Sequence, residues 1–214
     1  MEYHNRLTKA QIVEKLFINY CKEVGLIWAY TGMETLKRNR PKIRDKLIKI
    51  NTESARNMRF FPDMMVIGKD AGEVDLKYGP FIEKEAYECY IRHSLSGTNI
   101  GIVNLIQTFP TWKLIFFSVR KLKFLSLDAS YSVRGILMPN DGKWVYPKRL
   151  PPDKYREWKE GGGGSGTPYG IIDYKEFIYS ILKEYDSWDE INEIIAKDRL
   201  NEEKNRRRLV PILD

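Results

Sequence analysis

Two carboxylates and one ammonium group lie close together in the middle of the sequence. Pro62-Asp63 opens a short apolar segment, and Asp75-Leu76-Lys77 lies in a second apolar segment after a polar turn. Side chains two residues apart in a strand point to the same face, so Asp75 and Lys77 are expected to project together. If the two segments pair as a hairpin, the first strand brings Asp63 to the same edge. The pattern therefore predicts three reactive groups at one point.

These groups are suited to metal-assisted hydrolysis of a phosphodiester. A divalent ion held by carboxylates lowers the pKa of its bound water and neutralises developing negative charge. Mg²⁺ prefers hard oxygen ligands and keeps several waters, so Asp63, Asp75 and the backbone carbonyl of Leu76 could hold it, and Mn²⁺ could substitute. Lys77 could then orient or deprotonate the attacking water, or bind the phosphate.

Two alternatives stay open at this point. Asp75 and Lys77 could form a solvated ion pair on an exposed strand face, with no chemical role. A second catalytic strand could instead lie in the segment after Gly79-Pro80, where Glu83 and Glu85 would share a face. We favour Asp75 and Lys77 because this pair includes the lysine.

The flanking elements follow from hydrophobic periodicity. An amphipathic helix is predicted before the hairpin, and a helix and a nearly continuous apolar strand after it. Between the first helix and the hairpin lies a further helix rich in Lys and Arg. The predicted segments are helices at 9–24, 42–57 and 82–96, hairpin strands at 60–67 and 73–78, a helix or short strand at 98–108, and a strand at 112–119.

The two motifs, and the order of elements around them, resemble the PD-(D/E)XK nuclease superfamily. The resemblance covers roughly residues 9–119 and implies a restriction-endonuclease-like fold, with Asp63 and Asp75 as metal ligands and Lys77 assisting the water. In that family an acidic residue of the first helix often reaches the site, and Glu14 is the candidate here. The implied activity is a Mg²⁺-dependent endodeoxyribonuclease of restriction or virus/plasmid type, acting as a homodimer. Holliday-junction resolution and non-catalytic nucleic-acid binding on the same fold are the alternatives.

The charge balance agrees with a nucleic-acid partner. Lys and Arg number 36 against 29 Asp and Glu, which gives a net charge of +7. Basic side chains make sequence-independent contacts with phosphates. We expect DNA contacts from two basic stretches, comprising Arg38, Arg40, Lys42 and Arg44 in the first and Lys148, Arg149 and Arg156 in the second.

Composition and spacing exclude several other classes. The two Cys and two His show no zinc-site spacing, and the Gly-rich run at 161–166 lacks the Gly-Lys-Ser/Thr ending of a nucleotide-binding loop. The polar start and the absence of a long apolar run predict a cytoplasmic protein without a membrane span.

The sequence therefore predicts an α/β protein with a mixed central β-sheet flanked by helices. Its predicted parts are a nuclease core at 1–146, a Gly-rich flexible loop at 147–170, and a C-terminal helical extension at 171–214 packed on the same domain.

Overall fold

A six-stranded sheet forms the centre of the protein. The structure is a computed structural model that describes residues 9–31, 39, 41–50, 52, 61–68, 71–161, 166–175 and 179–209. The sheet order is β1-β2-β3-β5-β6-β11. These strands are β1 (Ile27–Tyr30), β2 (Met64–Ile67), β3 (Ala71–Tyr78), β5 (Ile100–Thr108), β6 (Thr111–Ser118) and β11 (Ser180–Tyr185).

One pair of neighbours in this sheet is parallel, and the others are antiparallel. β3 runs parallel to β5, with Asp75 opposite Ile102. A parallel pair needs a crossover, and here it consists of the short strand β4 (Phe81–Glu83) and helix α3 (Lys84–Leu95). β2 and β3 pair as the antiparallel hairpin that the sequence predicts. The mixed central sheet flanked by helices is therefore confirmed, and the segment at 98–108 is a strand.

Helices cover both faces of the sheet. On one face, α1 (Lys9–Val24) and α5 (Trp188–Leu209) enclose a core to which the sheet contributes Val74 and Leu76. On the other face, α3 packs Ala86 and Tyr90 against strand residues that include Ile102. Because successive strand residues alternate between faces, Asp75 and Lys77 belong to the α3 face.

A smaller layer is built mainly from the part of the chain between β6 and β11. The second sheet has the order β4-β10-β9, with β9 at Trp144–Val145 and β10 at Tyr169–Ile171. Strands β7 (Ser132–Val133) and β8 (Ile136–Leu137) form a hairpin beside it. A third apolar cluster joins this layer to helix α4 (Pro152–Glu160).

The prediction of a flexible loop at 147–170 is wrong for most of its length. A 3₁₀ turn occupies Pro147–Arg149, α4 follows, and Trp158 is only 6% exposed within the third cluster. Burial of one tryptophan and of Leu150 anchors a helix whose other residues are almost all polar. The four consecutive glycines dominated the prediction, and all but Gly161 lie outside the described residues.

The C-terminal part is not wholly helical either. Ser180–Tyr185 falls within the predicted helical extension at 171–214, but it forms β11 and pairs with β6. The free edge of β6 offers backbone groups that a strand can satisfy, and this pairing overrides the local helical spacing. The last part of the predicted C-terminal extension is helical and forms α5. Of the basic helix predicted at 42–57, the structure shows α2 (Pro41–Lys49), which stops before Ile50, and residues 51 and 53–57 lie outside the described residues. No helix in the described ranges combines the length and the apolar character needed to cross a membrane.

Candidate functional site

The β2–β3 ladder stops next to Pro62. Met64 pairs with Val74, so the same register would place Pro62 opposite Leu76. Proline has no N–H and cannot donate a ladder hydrogen bond. The Pro62 carbonyl instead accepts a 2.5 Å hydrogen bond from the hydroxyl of Thr31, and the Leu76 N–H donates to Asp63 Oδ2 at 3.0 Å. The proline thus ends the ladder, and the Asp63 carboxylate takes the next donor of β3.

Asp63 and Asp75 form a close carboxylate pair. Asp75 is 2% exposed on β3. Burial raises the pKa of Asp63 to about 8, and the charge of Asp75 is the second cause; Lys77 and the Leu76 N–H act in the opposite direction. Two carboxylates that cannot both ionise freely favour a proton or a metal ion between them. The hairpin therefore brings together the two predicted metal ligands.

Lys77 joins this pair as a cation. Its Nζ lies 2.9 Å from Asp75 Oδ2, although no donor among the described residues meets that oxygen at hydrogen-bond angles. Burial lowers the pKa of Lys77, but the charges of Asp75 and Asp63 together outweigh burial, and the net shift is upward. Lys77 is therefore protonated at neutral pH. We expect it to hold a phosphate or orient a water rather than to act as a base.

Two further residues support the cluster, and neither is among the predicted site residues. Tyr90 on α3 is 2% exposed; burial raises its pKa well above the ordinary value, and the neighbouring carboxylates of Asp75 and Asp63 raise it further. Asn104, paired with Lys77 across β3 and β5, is fully buried. The sequence does mark Asn104, because it is a polar residue within the apolar run of β5. Tyr90 carried no such signal, because its spacing matches the buried face of a helix.

Asn104 fixes the backbone that follows β3. Its Nδ2 lies 2.6 Å from the Gly79 carbonyl and 2.7 Å from the Tyr174 hydroxyl. Gly79 adopts φ +79°, a conformation that disfavours side chains, and begins the turn that leads to β4. This arrangement determines where the chain leaves the Lys77 end of the site.

Glu14 lies on the other side of the sheet from Asp75 and Lys77. It belongs to α1, which packs on the face of Val74 and Leu76, and it accepts a 2.6 Å hydrogen bond from the Tyr30 hydroxyl. The structure thus places Glu14 against β1. Its approach to the Asp63–Asp75 pair stays a prediction.

The alternative second catalytic strand is wrong. β4 ends at Glu83 and α3 begins at Lys84, so Glu83 and Glu85 do not share the face of one strand. Glu85 is exposed in the first turn of α3. Glu83 is close enough to help raise the pKa of Lys77, and it accepts a 3.0 Å hydrogen bond from Thr167. Of the two, Glu83 alone belongs near the site.

Some predicted DNA contacts can be located. Lys42 is exposed on α2, whereas Arg38, Arg40 and the side chain of Arg44 lie outside the described residues. Lys148, Arg149 and Arg156 are exposed in the second stretch. The predicted basic side chains that can be seen are therefore accessible to a partner.

A basic–aromatic patch, defined as Lys84, Tyr146, Lys148 and Arg149, begins next to Glu83. The guanidinium carbon of Arg149 lies 3.8 Å from the Tyr146 ring centre, and Lys84 Nζ lies 3.3 Å from the Tyr146 hydroxyl. Cations over an aromatic ring are attracted by its negative face, which holds them in place. The patch thus presents positive charges, two of which are held against Tyr146, and its Lys84 directly follows Glu83, whose charge helps raise the pKa of Lys77.

The donor set fits Mg²⁺ better than a softer metal. No three Asp, Glu, His or Cys side chains converge in the part of the chain that the structure describes. Asp63 and Asp75 supply two carboxylates. In a strand the N–H and C=O of one residue project to the same side, so the Leu76 carbonyl lies on the Asp63 side of β3. Hard oxygen ligands with open positions for water are what Mg²⁺ takes.

Comparison with known proteins identifies no family for this chain. The sequence matches no protein-family model and no curated protein. The geometry around Asp63, Asp75 and Lys77 is therefore the basis for assigning a function.

Proposed function

We propose that the protein is a Mg²⁺-dependent endonuclease that hydrolyses phosphodiester bonds in DNA, on a fold of the restriction-endonuclease type. The observation that carries the proposal is the meeting of Asp63, Asp75 and Lys77 at the point where Pro62 ends the β2–β3 ladder. A cytoplasmic homodimer, with one site for each DNA strand, is part of the same proposal.

In this proposal each residue has a distinct task. Asp63 and Asp75, with the Leu76 carbonyl, would hold the ion, and a bound ion would supply a water of lowered pKa and neutralise charge on the phosphate. Lys77, cationic at neutral pH, binds a phosphate oxygen or orients the water. Tyr90 contacts the Asp75 carboxylate from the core and positions it.

The basic–aromatic patch supports a polyanionic substrate. Its Lys84 directly follows Glu83, the residue whose charge helps raise the pKa of Lys77, and Arg149 lies over the Tyr146 ring beside Lys84. Contacts of this kind are made to the phosphate backbone and depend little on base sequence. DNA strands lying across the patch would be led toward the carboxylate pair.

Cleavage of supercoiled plasmid tests the proposal. The protein should nick the plasmid with Mg²⁺ and not with chelator. Asp75→Asn and Lys77→Met should each lower the rate at least about 100-fold, the scale of losing a group that stabilises transition-state charge. Glu85→Gln, an exposed carboxylate of α3, is the matched control and should cleave normally. Full cleavage by folded Asp75→Asn would refute the assignment.

A non-catalytic nucleic-acid-binding protein is the second candidate. The observation in its favour is the 2.9 Å ion pair between Lys77 and Asp75 Oδ2, which balances the charge of a carboxylate without a metal. Calorimetric titration with Mn²⁺ separates the two: saturable binding that Asp75→Asn removes supports the enzyme. DNA binding with neither metal binding nor cleavage supports the second candidate, and preferential cutting of a four-way junction would identify a resolvase.

A further inference from the structure

Three aromatic rings pack together where α3 meets the second sheet. They belong to Tyr87 on α3, Phe124 in the segment after β6, and Trp144 on β9. Their centres lie 4.9, 5.0 and 5.8 Å apart, and their planes are inclined to one another by 50°, 55° and 90°. Tyr87 and Phe124 are half-buried, and Trp144 is 7% exposed. We call these rings the aromatic cluster, and their partly negative faces favour a cation.

The backbone holds the aromatic cluster in place. Gly170 of β10 pairs with Trp144, and a Cβ at Gly170 would lie 2.5 Å from the Phe124 ring and 2.9 Å from the Trp144 ring. Two of the rings therefore rest directly on the β10 backbone. Asp141 Oδ1 accepts hydrogen bonds from the Trp144 N–H at 2.7 Å and from the Lys143 N–H at 3.2 Å. These bonds fix the turn that carries Lys143 next to the rings.

An ammonium group lies over the aromatic cluster. Lys143 Nζ is 4.5, 5.0 and 5.1 Å from the three ring centres. The same chain shows a closer cation–ring contact, because the guanidinium carbon of Arg149 is 3.8 Å from the Tyr146 ring centre. The Lys143 ammonium therefore lies about 1 Å farther from the rings than a close contact requires. The cluster holds a cation, but a primary ammonium does not fill the space above all three rings.

The spacing matches a larger cation. A methyl carbon lies about 1.5 Å from its nitrogen and packs about 3.5–4.0 Å from a ring carbon, so a methylated nitrogen sits about 5 Å from a ring. A fully methylated ammonium also has no N–H group to donate to water, and it loses less hydration when it moves onto the rings. Lys143 is exposed, so its ammonium can return to water when another cation takes its place.

We propose that the aromatic cluster binds a methylated ammonium group, carried by a small quaternary amine or by a methylated lysine of another protein. Lys143 occupies the position until the ligand displaces it. One cation replaces another, so the net charge over the rings does not change. Lys84 Nζ lies 5.8 Å from the Trp144 ring centre and remains at the Tyr146 hydroxyl, 3.3 Å away. The cluster shares no residue with the carboxylate pair, so this proposal stands or falls independently of the nuclease proposal.

Four probes test the proposal on the full chain. Choline carries the quaternary ammonium, and 3,3-dimethylbutan-1-ol is its neutral isostere; a trimethyllysine peptide is compared with the same peptide carrying unmodified lysine. In ¹⁵N-NMR titrations, choline should shift the Trp144 indole N–H and the Gly170 amide saturably, with a dissociation constant in about the millimolar range. The neutral isostere and the unmodified peptide should each bind at least about 5-fold more weakly than their methylated counterparts. Tighter binding of the trimethyllysine peptide than of choline identifies a protein ligand, and the reverse order identifies a small molecule.

Matched variants locate the binding. Lys143→Met removes the resident cation and should tighten choline binding at least about 3-fold, whereas Lys159→Met, which removes an ammonium 5.9 Å from the Trp158 ring, should not change it. Phe124→Leu removes one ring and should weaken binding at least about 5-fold; Phe109→Leu, at a 91% exposed ring, is its control. Thermal melts check folding, and Lys143→Met decides if Phe124→Leu does not fold. No saturable shift in the parent protein, equal affinity for the neutral isostere, unchanged affinity in Lys143→Met, or full affinity in folded Phe124→Leu would each overturn the proposal.

Discussion

The Asp63–Asp75 pair should make the metal-free protein less stable as the pH rises toward 8. The pKa of Asp63 is about 8 in the folded chain against an ordinary value of 3.8, with burial as the largest cause. Between these values the folded state binds more protons than the unfolded state, so the free energy of unfolding falls with rising pH. The pKa values of Lys77 and Tyr90, which face the pair, are both raised above their ordinary values of 10.5 and 10.0. Their contributions are therefore lost only at higher pH.

The size of the effect follows from the shift. A change from 3.8 to about 8 is about 4 units, and at ~1.4 kcal/mol per unit it sets a ceiling of about 6 kcal/mol. Because Asp63 interacts with the charges of Asp75 and Lys77, the loss of stability should stay below this ceiling. If the folded state binds one proton more than the unfolded state, the free energy of unfolding falls by about 3 kcal/mol between pH 5.5 and pH 7.5. Mg²⁺ should reverse the loss, because a bound ion favours the ionised pair.

Urea denaturation at pH 5.5, 6.5 and 7.5 measures this loss. Chelator keeps the protein metal-free, and tryptophan fluorescence reports unfolding. Asp63→Asn removes the titrating group, so the difference between its slope and that of the parent protein isolates Asp63 from all other groups. Glu88→Gln, an exposed carboxylate on α3, should keep the parent slope. Equal pH slopes for the parent and Asp63→Asn would refute the argument that this carboxylate is held protonated beside Asp75.

Three further predictions concern the DNA contacts and the core. Replacing Lys148 and Arg149 together with Gln should lower the slope of log affinity against log salt by about 2, measured by fluorescence anisotropy; an unchanged slope would exclude both from phosphate contact. Ile102→Ala, at a fully buried position, should lower the free energy of unfolding by about 2–5 kcal/mol in urea, and a loss below about 1 kcal/mol would contradict tight packing there. Gly101→Ala should cost about 1–3 kcal/mol through its clash with Phe116, and Phe116→Leu should recover part of that cost in the double variant.

Local sequence patterns predicted those elements whose structure depends mainly on residues close together in the chain. The alternation on both sides of the polar turn was enough for the β2–β3 hairpin, and it put Asp75 and Lys77 on one face. The periodicity of α1 and α3 likewise identified their buried faces, and the continuous apolar run of β6 matched a strand covered on both sides. These elements make up most of the central sheet and its helical layers, which is why the fold class could be predicted.

Elements that depend on distant partners could not be predicted in this way. Ser180–Tyr185 has apolar residues at helical spacing and becomes a strand because β6 offers an open edge. Helix α4 depends on one buried tryptophan in a polar stretch. Neither signal is visible without the neighbour that supplies the burial or the hydrogen bonds.

The position of the site itself illustrates the same limit. The sequence shows that proline precedes Asp63, but only the register shows that Pro62 would face Leu76. With any other residue there, an N–H could extend the ladder toward the Leu76 carbonyl. With proline, the Leu76 N–H is left to the Asp63 carboxylate, and the carbonyl on the same side of β3 has no ladder donor opposite it. Proline thus acts by stopping backbone pairing where two carboxylates meet, which leaves main-chain and side-chain oxygens facing one point.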